Sequence, residues 1–188
     1  ALVFPIGVEG TVYEDMELGV RGGSITVANI EDPKGWNNST AHETSTTWFT
    51  GRQHRGLVNL DHISGALVPD FAKSWELSDD SLVITFHLRE GIMWSDGEPI
   101  TADDVLFTYN DIILNEDVDT NQRDGQLLPD DTYPVCEKVD DYTVTFTMSV
   151  VFRPALNSLS FNLLPEHALA QYVHKLNPEV PVGTFNEA

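Results

Sequence analysis

The stretch that most constrains the fold of this chain covers residues 82–110 and reads LVITFHLREGIMWSDGEPITADDVLFTYN. Every second residue at its start is large and apolar, namely Leu82, Ile84, Phe86 and Leu88. A period of two is typical of a strand with one face against a core. We therefore predict a central strand at 82–88, with Phe86 buried in its middle.

A turn and the start of a helix follow this strand. A tight turn is favoured at Ser95, Asp96 and Gly97. The serine and aspartate side chains can bond to nearby backbone groups, and glycine can adopt a positive φ because it has no side chain. Thr101 precedes Asp104 with the spacing of a capping box at a helix N-terminus. Apolar residues then recur at helical spacing. We predict a helix over 102–115 with Thr101 as its N-cap.

Weaker patterns predict the other elements. Alternation predicts strands at 24–30, 57–60 and 71–77, in one sheet with the strand at 82–88, and a hairpin at 135–148 that turns at Asp140 and Asp141. A helix is predicted at 41–56, and two more begin at Pro154 and Pro165, where proline suits a first helical turn. The polar residues 116–134 predict a long exposed loop, the part of the chain most prone to disorder.

Four phrases occur in a fixed order along the chain: Asp79-Asp80, TFHLREG at 85–91, WSDGEPITADDV at 94–105, and Phe107-Thr108-Tyr109. Together they resemble the signature region of the family 5 extracellular solute-binding proteins, which are the dipeptide, oligopeptide and nickel receptors of ABC importers. The resemblance runs from about residue 22 to the C-terminus and covers only the first portion of the longer family chain. It implies a mixed α/β (α+β) fold that forms an N-terminal lobe fragment of a two-lobed periplasmic-binding-protein-like fold.

The resemblance also implies how the chain is divided. We expect an extended lead-in at 1–22, the sheet-and-helix region of the first lobe at 23–115, and a smaller subdomain at 116–188. That subdomain would contain the hairpin at 135–148 and the C-terminal helices.

Charge and composition narrow the classes of partner. Thirty acidic residues against ten basic ones give a net charge of −20, which repels nucleic acid and anionic lipid. Apolar runs are too short to span a bilayer, so no direct membrane insertion is expected. A single cysteine, Cys136, allows no intramolecular disulfide.

The patterns of enzymes and metal sites are missing from the sequence. The six histidines form no His-x-x-x-His pair, and no Gly-x-Ser-x-Gly or phosphate-binding glycine motif occurs. We expect no catalytic activity, no metal site in the protein and no cofactor. Trp94 to Gly97 dominates the resemblance, but a structural role as a turn before a helix explains it better than a ligand role.

Candidate ligand contacts come from the resemblance, which places them at the end of the first strand and in the following loop. The residues at those positions are Asn29, Ile30, Glu31, Trp36 and Asn37. A carboxylate there could pair with a ligand amine, and an aromatic ring could stack on an apolar group. The alternative interpretation is an ordinary loop.

The implied function is the substrate-binding component of an ABC importer, which captures a peptide or similar small solute outside the cytoplasmic membrane and delivers it to the permease. Such a protein is exported, as a periplasmic protein or a cell-surface lipoprotein, so its signal segment would lie outside this chain. Two alternatives stay open. The chain could be a free-standing protein-interaction module derived from the lobe, or its receptor could take an oligosaccharide or a metal chelate.

Overall fold

The structure is a computed structural model, and it describes residues 22–24, 26, 31–51, 53–61 and 64–187. Most of the strand predicted at 24–30 lies outside these residues, as do Asn29 and Ile30. The mixed α/β class is confirmed by the helices and antiparallel sheets of the described part. None of the helices in that part is long and apolar enough to cross a membrane.

The helices and strands follow one another in a simple order. They are α1 (Thr44–Thr50), β1 (Val58–Leu60), β2 (Leu67–Pro69), β3 (Ala72–Leu77), β4 (Val83–Leu88), α2 (Ala102–Leu106), β5 (Val135–Asp140), β6 (Thr143–Thr147), α3 (Ala155–Ser158) and α4 (Glu166–Leu169). Helix α2 continues as a π-helix over Phe107–Ile113, and short 3₁₀ turns cover Asp124–Gln126, Ala170–Tyr172 and Thr184–Glu187.

Four strands form the main sheet in the order β3-β4-β6-β5, with every pair antiparallel. Strand β4 lies inside this sheet, so the prediction of a central strand is confirmed. The prediction that 57–60 joins the same sheet is wrong, because among the described residues β1 pairs with β2 in a separate two-stranded sheet. The strand that lies beside β4 is β6 of the hairpin, because the alternation of β6 puts Val144 and Phe146 on the core side.

The hairpin was expected in the smaller subdomain at 116–188, yet it supplies two strands of the sheet that contains β3 and β4. The division of the chain at residues 22 and 115 stays a prediction.

The core lies between one face of the main sheet and α2 with its π-helical extension. Phe86 and Phe146 meet edge to face with ring centroids 5.8 Å apart, and Tyr109 meets Phe146 at 5.1 Å. The Tyr109 hydroxyl donates to the Pro134 carbonyl at 2.9 Å, which satisfies the one polar group among these three core rings. A second apolar cluster on the other side of the same helix contains Phe107, Ile112, Val118, Leu164, Val173 and Phe185.

The N-cap prediction is confirmed. The backbone N–H of Asp103 donates to Thr101 Oγ1 at 3.3 Å, and the N–H of Thr101 donates to Asp104 Oδ2 at 2.9 Å. Asp104 Oδ1 also accepts from the backbone N–H of Glu166 at 2.9 Å, so the cap joins α2 to the start of α4.

Three predicted helices are shorter or less regular in the structure. The helix predicted at 41–56 ends at Thr50, because Gly56 forms a bridge with Asn162 and the chain must become extended before it. The one at 102–115 changes to π geometry after Leu106, where the Thr108 hydroxyl donates to the Asp104 carbonyl. The helix at Pro165 has only four α-helical residues before a 3₁₀ turn.

The segment 116–134 is irregular, as predicted, but it is held to the rest of the chain. Val118 and Leu128 are buried, and the Arg123 guanidinium donates to the carbonyls of Ile113, Asn115 and Val118. The hydrogen bonds of the Arg123 side chain thus hold a segment that lacks the backbone hydrogen bonds of a long helix or strand.

Replacing Phe86 by alanine should lower the free energy of unfolding by about 3–5 kcal/mol, because the ring is fully buried and a cavity would remain. Thr85→Ala, on the half-exposed face of the same strand, is the matched control. Urea denaturation of both variants measures the difference, and a loss below about 1 kcal/mol for Phe86→Ala would contradict this account of the core.

Thr101→Ala should destabilise the protein by about 1 kcal/mol, because it removes the side-chain acceptor of the cap. Thr101→Ser keeps that acceptor and should retain most of the stability. Thermal unfolding of the two variants gives the comparison, and equal losses would show that the hydroxyl of Thr101 is not what stabilises the helix.

Candidate functional site

Three aromatic side chains lie together where the loop 31–43 meets α1, and we call them the aromatic cluster: Trp36, Trp48 and Phe49. Phe49 is the central ring, with its centroid 4.9 Å from that of Trp48 and 6.4 Å from that of Trp36, both edge to face. Trp36 is 61% exposed, which leaves most of its surface open to solvent. An exposed, supported aromatic surface is suited to contact with an apolar or flat ligand group.

Glu31 lies near this cluster on the same side of α1. Its Oε1 is 3.5 Å from the hydroxyl oxygen of Ser45, while Trp36 contacts Phe49. Ser45 and Phe49 are four residues apart, so they share one face of the helix, one turn from each other. The Glu31 carboxylate and the exposed Trp36 ring therefore contact residues that lie one turn apart on the same face of α1.

Polar contacts within the protein fix the loop. Thr46 Oγ1 accepts the backbone N–H of Lys34 at 3.0 Å and donates to the Glu43 carboxylate, and this hydrogen bond lowers the pKa of Glu43. Thr50 donates to Asn38 Oδ1 at 2.6 Å. Helix α1 thus buries hydroxyl groups against the loop, which positions the aromatic cluster.

Two further contacts join the loop to the segment 116–134. Asn121 Nδ2 donates to the Ala41 carbonyl at 2.7 Å, and His42 Nε2 lies 3.5 Å from Asp119 Oδ2. The loop 31–43 is therefore held by contacts with the segment 116–134 as well as by contacts with α1.

Asn37 uses its amide within the protein. Its Nδ2 donates to the Phe185 carbonyl at 2.8 Å and its Oδ1 accepts the backbone N–H of Ser39 at 3.1 Å. In this conformation Asn37 links the loop to the C-terminal part of the chain. Its role in ligand binding stays a prediction.

Among the predicted residues, Glu31 and Trp36 both contact α1, and the structure adds Trp48 and Phe49 beside Trp36. Trp48 and Phe49 lie in the helix predicted at 41–56 and are not among the predicted ligand contacts. The sequence feature that indicates a role for these two rings is the polar segment TSTTWFT around them. A helix with so few apolar residues cannot bury two adjacent aromatic rings in a core.

The turn at Trp94 to Gly97 is engaged by the rest of the chain. Gly97 has a φ of 96°, the left-handed conformation that the turn requires. Asp96 Oδ2 lies 2.7 Å from His167 Nε2, and this contact raises the pKa of His167 and lowers that of Asp96. These contacts agree with a structural role for the turn.

No group of three or more His, Cys, Asp or Glu side chains is arranged to hold a metal ion within the residues that the structure describes.

Comparison with known proteins gives one consistent family. A family model described as bacterial extracellular solute-binding proteins, family 5 Middle, matches residues 66–184. The chain is 34% identical over 190 residues to the periplasmic alpha-galactoside-binding protein of Rhizobium meliloti, and the match covers 94% of this chain and 25% of that protein.

Two solved structures are similar over most of the chain. One is the ABC transporter substrate-binding protein CtaP from Listeria monocytogenes, with a TM-score of 0.64, 34% identity, and coverage of 73% of this chain and 27% of that one. The other is the oligopeptide-binding protein AppA from Bacillus subtilis in complex with a nonapeptide, with a TM-score of 0.65, 25% identity, and coverage of 85% and 29%. The chain therefore spans between a quarter and a third of the length of these relatives.

The contact between Asp96 and His167 predicts a dependence of stability on pH. Because the folded-state pKa of His167 is raised above its ordinary value of 6.5, the stabilisation is fully present below that value and is lost as the pH rises through the folded-state pKa. His167→Gln removes the titrating group. Urea unfolding should therefore show wild type to be more stable than His167→Gln at about pH 6, with the difference gone by about pH 9.

Asp96→Asn is the second variant for this test, since it removes the partner and keeps the histidine. It should abolish the same pH-dependent difference. A gap between wild type and His167→Gln that does not change with pH would contradict the role of this ion pair.

Proposed function

The chain belongs to the bacterial extracellular solute-binding proteins of family 5, and from that membership we propose that it is part of the substrate-binding component of an ABC importer. It would capture a small solute outside the cytoplasmic membrane and deliver it to the membrane permease. We propose that it holds this solute without transforming it, as a periplasmic protein or a cell-surface lipoprotein.

We propose a peptide as the solute, and the placement of Glu31 and Trp36 against one face of α1 is the observation that supports this choice. A peptide carries a protonated terminal amine next to its first side chain. The Glu31 carboxylate could pair with that amine, while the ring of Trp36 contacts the side chain. The similarity to an oligopeptide-binding protein solved with a nonapeptide supports the same class.

An oligosaccharide is the second candidate, and the similarity to an alpha-galactoside-binding protein along 94% of this chain favours it. Sugars also contact aromatic rings, and their hydroxyl groups donate to carboxylates. The two candidates differ in charge: a peptide amine needs an ionised carboxylate opposite it, whereas a sugar hydroxyl needs only an acceptor oxygen.

We further propose that the aromatic cluster is one wall of a site that is completed by a second lobe. Receptors that close two lobes around a solute exclude water from it, and small-molecule sites generally enclose about 70–90% of their ligand. A single wall makes fewer contacts and leaves its charged groups solvated. This chain should therefore bind solute several orders of magnitude more weakly than a two-lobed receptor does, because each 1.4 kcal/mol lost is about a factor of ten.

Calorimetry of the 188-residue chain with the tripeptide Ala-Phe-Ala, its N-acetylated form and raffinose tests the peptide proposal. Glu31→Gln should weaken binding of the free tripeptide about two- to fivefold, as expected for losing an exposed ion pair, and should leave the acetylated form unchanged. Trp36→Ala should weaken both forms, because the ring contact does not depend on the amine.

Glu98→Gln is the matched control, since Glu98 is also exposed but lies in the turn before α2. Stronger binding of raffinose than of either peptide, with no effect of Glu31→Gln, would favour the oligosaccharide instead. Binding by this chain as tight as that of a full-length receptor for the same solute would contradict the proposal of a second wall.

A further inference from the structure

A cleft of about 480 Å³ opens on a different part of the surface, between the segment after α1, the start of β3 and the loop after β4. None of Glu31, Trp36, Trp48 or Phe49 lines it. Its volume is within the range of roughly 300–1,000 Å³ that is typical of small-molecule sites.

One wall of the cleft is apolar. Phe71 and Trp94 meet edge to face with their centroids 6.3 Å apart, and Ile100, which is buried, lies beside them. A ring or a short aliphatic chain would find flat, preformed contact surface here.

The lining of the cleft also contains two cationic groups. Arg55 and Arg89 both line the cleft, and Asp70 is the carboxylate among them. Arg55 Nη1 lies 3.2 Å from Asp70 Oδ2, and Arg89 Nε donates to the backbone carbonyl of Asp70 at 2.8 Å. One carboxylate therefore stands against two guanidinium groups, and the Asp70 side chain is only 5% exposed, so it offers little negative surface to a ligand.

The remaining polar groups of the lining do not change this balance. Gln53 and Ser95 carry no charge, and burial lowers the pKa of His54, which favours its neutral form. In a chain with three acidic residues for each basic one, the described lining of the cleft thus carries more positive than negative charge.

Trp94, one of the lining residues, carries a hydrogen-bond donor that is closed to solvent. Its indole Nε1 is buried and has no partner within the described part of the chain. Buried donors are seldom left unpaired, so this N–H is an unusual feature of a ring that lines the cleft.

From this combination we propose that the cleft binds a small carboxylate with an apolar or aromatic tail. The carboxylate lies between Arg55 and Arg89, whose planar guanidinium groups match its geometry, and the tail lies against Phe71 and Trp94. Two sources share this chemistry, a free organic acid and the C-terminal residue of a peptide. The site is independent of the proposed solute contact at Glu31.

Calorimetry of the 188-residue chain with 3-phenylpropanoate tests the proposal, with 3-phenylpropanamide as the neutral probe of the same shape. The acid should bind, and the amide should bind about tenfold more weakly, as expected for losing a charge-assisted hydrogen bond. Arg89→Gln should cause a similar loss for the acid and none for the amide.

Arg153→Gln is the control variant, because Arg153 is exposed and lies in a separate apolar groove beside Trp75 and Phe152. It should leave acid binding unchanged, and circular dichroism of each variant establishes that it is folded. Equal binding of acid and amide by the wild-type chain, no saturable binding of the acid, or an equal loss in Arg153→Gln would overturn the proposal.

N-acetyl-glycyl-phenylalanine distinguishes the two sources, since it carries the same carboxylate and ring on a peptide backbone and has no free amine. Tighter binding than 3-phenylpropanoate would assign the cleft to peptide C-termini, and weaker binding would assign it to free acids. Because both probes lack an amine, Glu31→Gln should affect neither, so failure here is separate from failure of the proposed solute contact.

Discussion

The pairing of β4 with β6 is the interaction on which the rest of the structure depends. It sets Ile84 opposite Phe146 and Phe86 opposite Val144, so that a continuous apolar surface faces α2 and its π-helical extension. Tyr109 from that helix meets Phe146 at 5.1 Å and stacks on Phe161 at 5.6 Å, which brings in the chain after α3. A slip of one residue in either strand would turn the apolar side chains of that strand away from the core, which is why the register is strongly specified.

The cleft at Arg55 and Arg89 is attached to this core through two close backbone contacts. The N–H of Arg89, directly after β4, donates to the Phe71 carbonyl at 2.9 Å, so the cleft forms where the core strand ends. On the side of α1, a side chain at Gly56 would place its Cβ 2.5 Å from the Phe161 carbonyl oxygen, which only glycine avoids. That contact fixes the segment between α1 and β1, and with it Arg55, against the same core.

Local sequence signals predicted the elements whose causes are local. The alternation at 82–88, the Thr101 and Asp104 spacing and the hairpin at 135–148 each depend on a few neighbouring residues, and the structure has all three. The order of strands depends on contacts between distant segments, so the sequence alone placed 57–60 in the sheet of 82–88, whereas the described part of the chain pairs β1 with β2 in a separate sheet. The same limit applies to the sites. Glu31 and Trp36 were predicted from resemblance, whereas Trp48, Phe49 and the grouping of Arg55 with Arg89 follow only from the folded chain.

The two candidate sites differ in the sign of their charged groups, although the molecule as a whole is acidic. A net charge of −20 attracts cations to the whole surface, so the Glu31 carboxylate adds little selectivity by charge alone, and the neighbouring ring of Trp36 must supply it. An anion is repelled at long range, but salt screens that repulsion beyond about 8 Å, whereas guanidinium groups in direct contact act over about 3 Å. The cleft at Arg55 and Arg89 can therefore select an anion from close range even though the molecule as a whole opposes its approach.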